Sequence, residues 1–354
     1  MPDIAIPGSL QRLMDQMAEG TFRRFEHLWW DNTVANRPQV TRTVLEAGLK
    51  RKGADVSSAL VVAHGPSLKR RNSLEAIRKS GYQGLIVAVD SAAAVCLRAG
   101  IVPDAVVSVD PRPRIVHNFG ETEELTRLHP EDEAYYRARA DESHLGADPY
   151  ATSRENRDLM NRFGAQMIGL FSTAITPRTA LRCREIGLDA FWFNPMYDDY
   201  DQPGSFTRKV HDLVPVPCLN AGGNVGTAAW VLAHSVLGAR RVGLVGFDFA
   251  YYPGTSLKQT QYYESLVELF GEDGVADVLP VLPHPSTGER FFTDPAYLWF
   301  RQVFLEMEAS APCETVNCTE GGILYGGNIR EMPLRQFLHE TASAGNIELH
   351  SSVR

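Results

Sequence analysis

The sequence has 354 residues, 44% of them hydrophobic, with 35 basic and 43 acidic side chains for a net charge of −8. That length and apolar content support a sizeable core and exclude global disorder, and the acidic balance excludes a general nucleic-acid binder, whose surface carries excess Lys and Arg. The five scattered cysteines form no CxxC pair, which predicts reduced thiols and a cytoplasmic protein; no run approaches the roughly 20 apolar residues of a bilayer span, and MPDIAIPGSLQRLMDQM lacks the charged-then-apolar order of a secretory signal.

Residues 1–50 read as a helical leader. Leu10, Leu13, Met14 and Met17, then Phe22, Phe25, Leu28 and Trp29, recur at helical spacing and predict a stripe packed on a main domain. The next block, ALVVAHGPSLKRRNSLEAIRKSGYQGLIVAVDSAAAVCLRAGIVPDAVVSVD, alternates apolar runs (Ala59–Ala63, Leu85–Val89, Ala105–Val109) with helical stretches. Apolar runs without polar alternation suit strands buried on both faces of a parallel sheet.

From 118 to 162 the chain turns dense in charge and poor in aliphatics, which predicts an exposed helical insertion: a lid, a contact surface or a plain solvated excursion. Gln166–Leu170 and Ala190–Phe193 resume the strands, with a helix near Pro177–Ile186 between them. Val214–Pro217 is extended, because proline disfavours helix at the residue before it. Asn220–Leu237 is a glycine-rich loop entering a helix, and Arg241–Val245 is another strand. Lys258–Phe270 and Tyr297–Glu308 read as helices, Glu314–Asn317 as a strand, and Met332–Glu340 as a closing helix. The expected organisation is a leader (1–50), an α/β domain (51–340, with the insertion at 118–162) and a tail (341–354).

In an open parallel sheet, ligands bind outside the carboxyl ends of the strands. The candidate residues cluster at such ends. Gly65-Pro66-Ser67 follows the first strand; glycine permits close backbone approach, and the serine hydroxyl with nearby amides can hold phosphate. An ordinary strand-to-helix turn serves equally well, and the motif is neither a Walker A loop, GxGxxG nor GxSxG. Asp90-Ser91 and Asp110 end the next strands. Asp90 or Ser91 fits a helix cap, whereas Pro111 and Pro113 make capping a poor account of Asp110.

Asn220, Gly223 and Asn224 belong to a second glycine-rich helix entrance, where Asn224 also suits an ordinary cap. Asp248, Tyr251 and Tyr252 follow Arg241–Val245 as a pocket wall or as buried, satisfied tyrosines. Thr319, Glu320, Gly321 and Gly322 form a late polar turn with the look of a binding loop. The ten histidines are dispersed, and no metal-ligand spacing occurs. A divalent ion such as magnesium, held by phosphates with Asp110 or Asp248, is compatible with these residues but not required by them.

GPSL, AVDSA, GIVPDAVVSVDP, GNVG and TEGG, in that order across roughly residues 55–340, resemble the DUF115 family, also called the motility-associated factor (Maf) glycosyltransferases, of the MptE-like superfamily. The resemblance implies a Rossmann-like α/β fold, a mostly parallel sheet with helices on both faces, similar to bacterial sialyltransferases. It implies a glycosyltransferase that uses a nucleotide-activated sugar, a CMP-nonulosonate, and delivers it to a hydroxyl of a flagellin-like protein or a glycan.

By that likeness Gly65, Pro66 and Ser67 hold the donor phosphate. Asp90, Ser91, Asn220, Gly223 and Asn224 surround the nucleotide, and Asp110 and Asp248 face the reacting sugar. Tyr251, Tyr252 and Thr319–Gly322 contact substrate. The same superfamily contains ATP- and magnesium-dependent 6-hydroxymethylpterin pyrophosphokinases, with TDLDG-type and HGDN segments. Here Ser108-Val109-Asp110-Pro111 stands at the first place and no HGDN occurs, which favours the glycosyltransferase branch. A non-catalytic binding protein of the same fold is the third alternative.

Overall fold

The computed structural model describes residues 8–121, 149–260 and 262–341. Its centre is a nine-stranded sheet in the order β11-β10-β7-β1-β2-β3-β4-β5-β6. The strands are β1 (Asp55–Val62), β2 (Gly84–Val89), β3 (Ala105–Ser108), β4 (Ile168–Ser172), β5 (Asp189–Pro195), β6 (Cys218–Leu219), β7 (Arg241–Val245), β10 (Glu314–Asn317) and β11 (Arg330–Glu331). Every pairing among them is parallel. A separate antiparallel hairpin joins β8 (Val281–Pro283) to β9 (Arg290–Phe292).

Burial follows from composition. GLIVAV in β2, AVVS in β3 and IGLFS in β4 are buried at every position, as expected of parallel strands covered on both faces. The chain lays down β1 to β6 in one direction and then returns to place β7 on the other side of β1. Right-handed crossovers put the helices of an outward run and of its reversed continuation on opposite faces. The seam between β1 and β7 is therefore the topological switch point, where such sheets open a crevice.

The leader forms one long helix, α1 (Gly8–Asn36). At 1.5 Å per residue it is about 43 Å long, comparable with a nine-stranded sheet at ~4.8 Å per strand. It crosses the carboxyl edge of that sheet. Toward its start, Met14 is fully buried in a cluster with Ala250, Tyr252, Leu298 and Ile323. In its middle, Phe25 lies beside the Arg112 guanidinium, 5.8 Å from ring centroid to carbon. At its end, the Asn32 amide donates to the carbonyls of Pro111 and Ala174. Asn36 donates to those of Thr173 and Ile175. The chain then returns to the amino edge, where Arg51 grips Asp104 bidentately at 2.7 and 2.8 Å.

Several expected elements shift. The strand read at Gln166–Leu170 is Ile168–Ser172, because residues Gly164–Gln166 close a 3₁₀ turn first. The helix read at Lys258–Phe270 runs Tyr263–Gly274, because Ser256 and Gln259 cap a separate 3₁₀ turn at Leu257–Gln259. The segment after Asp110 is a 3₁₀ helix, Pro113–Phe119. The β8–β9 hairpin and the helix Phe206–Leu213 were not expected. Of the charged insertion, residues 122–148 lie outside the described residues, as does the tail from 342; helix Pro149–Phe163 closes the insertion.

Asn36→Ala removes two buried amide donors and strands two carbonyls beneath α1. Leaving buried polar groups unpaired costs about 1–3 kcal/mol each, so denaturant unfolding of this variant is expected to show a loss of about 2 kcal/mol or more.

Candidate functional site

The seam between β1 and β7 brings together residues far apart in sequence. The Asp248 carboxylate accepts from the Ser67 hydroxyl at 2.7 Å and from the Ser67 amide at 3.3 Å to each oxygen. Both residues are buried. The glycines around them exist for this contact. A Cβ on Gly65 would lie 2.1 Å from Asp248 Oδ2 and 2.5 Å from the Gly246 carbonyl. The Gly65 amide donates to that same carbonyl. Gly246 itself has φ of +78°, a backbone shape that favours glycine.

Burial dominates the acidity of Asp248. It pushes the carboxyl up to about 7, against the opposing pull of the Ser67 donors and the Arg71 charge. The amide and hydroxyl that the sequence offers to a phosphate are thus already taken by an acid of this chain.

The next strands carry a pair of acids at their ends. Asp90 opens the helix Asp90–Arg98 rather than capping it; Val89 occupies the cap. Its carboxylate accepts from the Ser108 hydroxyl at 2.7 Å and from the Ser91 amide at 2.6 Å. Burial, with Asp110 nearby, pushes it up to about 6. Asp110 behaves oppositely. Burial opposes its charge, but Arg112 and Arg114 outweigh that and hold it below the usual carboxylate range. Arg112 clasps it through Nε and Nη2, and its side chain retains 20% exposure.

The glycine-rich loop reaches the same edge, although β6 is the far edge strand. Asn224 caps the helix Val225–Val231 by accepting from the Thr227 amide at 2.9 Å. Asn220 accepts from the Gly222 amide. A Cβ on Gly226 would lie 3.1 Å from Phe247, and one on Gly223 would lie 2.4 Å from Trp299. The helix therefore begins beside the end of β7, and its asparagines shape the loop.

The late loop closes over Asp248. The Thr319 hydroxyl accepts from the Phe247 amide, and the Ile323 amide donates to the Asp248 carbonyl at 2.8 Å. A Cβ on Gly322 would lie 2.2 Å from that carbonyl oxygen, and one on Gly321 would lie 2.3 Å from the Tyr252 hydroxyl. Glu320 is exposed and adopts φ of +56°, and Phe249, next to Asp248, adopts φ of +46°. Non-glycine residues held there are strained, and such strain gathers at functional sites. Tyr251 is buried, stacks between Phe292 and Tyr297, and donates to Asp294 at 2.8 Å. Tyr252 is buried edge-on against Phe291.

Two basic residues complete the site: Arg301, which the sequence did not single out, and Arg70, expected with Lys69 and Arg71 to add positive charge beside the Gly65-Pro66-Ser67 turn. Arg301, 2% exposed, donates to the Ile323 and Tyr325 carbonyls at 2.7 and 2.6 Å and fixes the late loop. Arg70 lies with its guanidinium 4.4 Å from the Tyr252 ring centroid. A helical arginine with no sequence signature beyond its charge gives no hint of the loop-fixing role of Arg301 or of the ring beneath Arg70.

Among the described residues, no group of three or more His, Cys, Asp or Glu is gathered as a metal site. A shallow cleft of about 460 Å³, lined by Asp201, Gln202, Arg208 and Lys209 among others, follows β5 and includes none of the residues above. No helix of the described residues is long and apolar enough to cross a membrane.

Comparison with known proteins agrees with this architecture. Residues 31–132 match the family described as 6-hydroxymethylpterin diphosphokinase MptE-like. That stretch carries the end of α1, β1 to β3, Ser67, Asp90 and Asp110. No curated protein matches the chain. Among solved structures, a Maf glycosyltransferase from Magnetospirillum magneticum AMB-1 is similar, with a TM-score of 0.52 and 14% identity over 89% of this chain. The match covers 40% of that protein, so this chain spans less than half its length. The likeness shows a shared Rossmann-like α/β fold.

Two outcomes follow from the packing at Asp248. Gly65→Ala drives a methyl into the carboxylate and is expected to cost about 1–3 kcal/mol or more. Gly48→Ala, where nothing lies within 4 Å, serves as the near-neutral control in the same thermal melt. The folded chain binds the Asp248 proton up to about 7, whereas the free acid releases it near 3.8. Between those values the folded state holds more protons, so stability falls as pH rises. Wild type is therefore expected to lose a few degrees of Tm relative to Asp248→Asn between pH 4 and 7, and little more above pH 8.

Proposed function

We propose that this chain, whose residues 31–132 match the MptE-like family model and whose fold is shared with a Maf glycosyltransferase, is itself a glycosyltransferase. Its donor is a nucleotide-activated sugar, a CMP-nonulosonate, and its acceptor is a hydroxyl of a flagellin-like protein or a glycan. The observation that carries this reading is the Ser67–Asp248 contact at the switch point, with the Asp90–Asp110 pair on the adjoining strands under α1. An enzyme that moves a sugar from a nucleotide must stabilise the departing phosphate and take a proton from the acceptor.

Two acids whose environments drive their acidities apart divide such tasks. Asp248, at about 7, suits the general base: the acceptor oxygen attacks the anomeric carbon, the bond to phosphate breaks, CMP departs and the acceptor proton passes to this carboxylate. Asp110, held ionised by Arg112 and partly exposed, suits hydrogen-bond acceptance from a sugar hydroxyl and stabilisation of positive charge at the anomeric carbon. Asp90, Ser91 and the Asn220–Asn224 loop then border the nucleoside.

The family match favours a second reading, an ATP-dependent diphosphokinase acting on a pterin alcohol. In that case the Asp90 and Asp110 oxygens are the hard ligands suited to magnesium, and Arg112 must release Asp110 for it to serve.

Calorimetry with CMP, CDP and ATP separates the readings. The glycosyltransferase reading expects cytidine nucleotides to bind in preference to ATP, and CMP release from a CMP-sugar to fall about 10²–10⁴-fold in Asp248→Asn. Tight ATP binding without cytidine preference, with magnesium-dependent AMP release in the presence of 6-hydroxymethylpterin, overturns the donor assignment.

A further inference from the structure

The proposed donor carries an oxyanion, and the loop expected to hold it is already occupied. Asp248 uses the Ser67 amide and hydroxyl, and the space beside Gly65 is filled by the same carboxylate. An arriving phosphate carries the same sign of charge as an ionised Asp248, so the two compete for those donors. Recognition of the anion must come from a cation close by.

Three basic residues follow Ser67. Arg71 is paired with Glu289 at 2.7 Å. Lys69 is exposed, with no acidic partner among the described residues. Arg70 also has no acidic partner among the described residues, yet it is held in place. It lies three residues beyond Ser67 in the helix Ser67–Arg70, the spacing that sets side chains on one helix face. Its guanidinium covers the Tyr252 ring at 4.4 Å.

That ring is a fixed platform. Tyr252 is 4% exposed, packs edge-on against Phe291 at 4.9 Å and abuts Gly321, where a side chain would collide with its hydroxyl. A guanidinium held over a ring by cation–π attraction still presents N–H donors at its rim, in the planar fork that matches a phosphate or carboxylate. That attraction also removes part of the rotamer freedom that an exposed arginine otherwise loses on binding.

Resting on the glycosyltransferase reading, we propose that Arg70 recognises the oxyanion of the donor and that Tyr252 is its positioning residue. The anion is the nucleotide phosphate or the carboxylate of a nonulosonate, and the test separates them.

The experiment is calorimetry on the full chain with CMP, CMP-nonulosonate and ATP, comparing wild type with Arg70→Gln, Arg70→Lys, Tyr252→Phe and Tyr252→Leu. Arg70 is exposed, so Arg70→Gln is expected to melt as wild type does. It is expected to weaken ligand binding about 10–100-fold, the range of a lost charge-assisted pair. Arg70→Lys keeps the charge but not the fork and falls between. Tyr252→Phe keeps the platform and binds as wild type, whereas Tyr252→Leu weakens binding and flattens the difference between Arg70 and Lys.

Loss for CMP and CMP-nonulosonate alike assigns the phosphate; loss for the CMP-sugar alone assigns the carboxylate. Equal binding by wild type and Arg70→Gln overturns the inference and leaves the reading standing. A wild type that binds ATP but not CMP overturns the reading, and a tenfold loss of ATP in Arg70→Gln still supports the role of Arg70. A wild type that binds none of the three overturns both.

Discussion

One buried carboxylate organises the carboxyl edge of this sheet. Asp248 sits where the chain reverses direction, between β7 and β1, and takes both polar donors of Ser67. Removing an acid from water is costly unless it is hydrogen-bonded or protonated, and the neighbourhood reflects that constraint. Gly65 and Gly246 clear space for the contact, Gly322 lets the late loop press on its backbone, and Arg301 holds that loop down. The strained Phe249 and exposed, strained Glu320 flank the same point. The glycines of GPSL and TEGG thus serve the chain's own packing before they serve any ligand.

The rest of the edge is arranged around this seam. Asp90 and Asp110 stand on the next two strands in opposite ionic states, one pushed up by burial and the other held down by arginines. Helix α1 bridges the ends of β7, β10, β3 and β4 through Met14, Asn32 and Asn36. Its polar anchors are backbone carbonyls just past strand ends, so the helix is tied to the edge itself. Any ligand that reaches the Asp110 side of the seam does so beneath or alongside that helix.

Much of the fold was legible because strand burial is written in composition. Arg241–Val245 and Glu314–Asn317 were read with the bounds they have, since RVGLV is a short, largely apolar run and ETVN is closed by the polar, glycine-rich turn that follows it. What could not be read is who meets whom. Ser67 and Asp248 are 181 residues apart, and no local pattern announces that one satisfies the other. The leader was legible as a helix with an apolar stripe, but its route depends on Asn32 and Asn36 finding carbonyls after β3 and β4. Asn224 shows the reverse case: a cap that local chemistry explains in full. The short strands β6 and β11 and the β8–β9 hairpin carry too few residues for a periodic signal.

The most direct test of the account is the crystal structure of the chain with CMP bound. The account predicts the phosphate at the carboxyl ends of β1 and β7, within reach of Arg70 and adjacent to Asp248, with the nucleoside extending toward Asp90. A nucleotide seated at the amino edge of the sheet, or in the cleft beside Arg208 after β5, would contradict it.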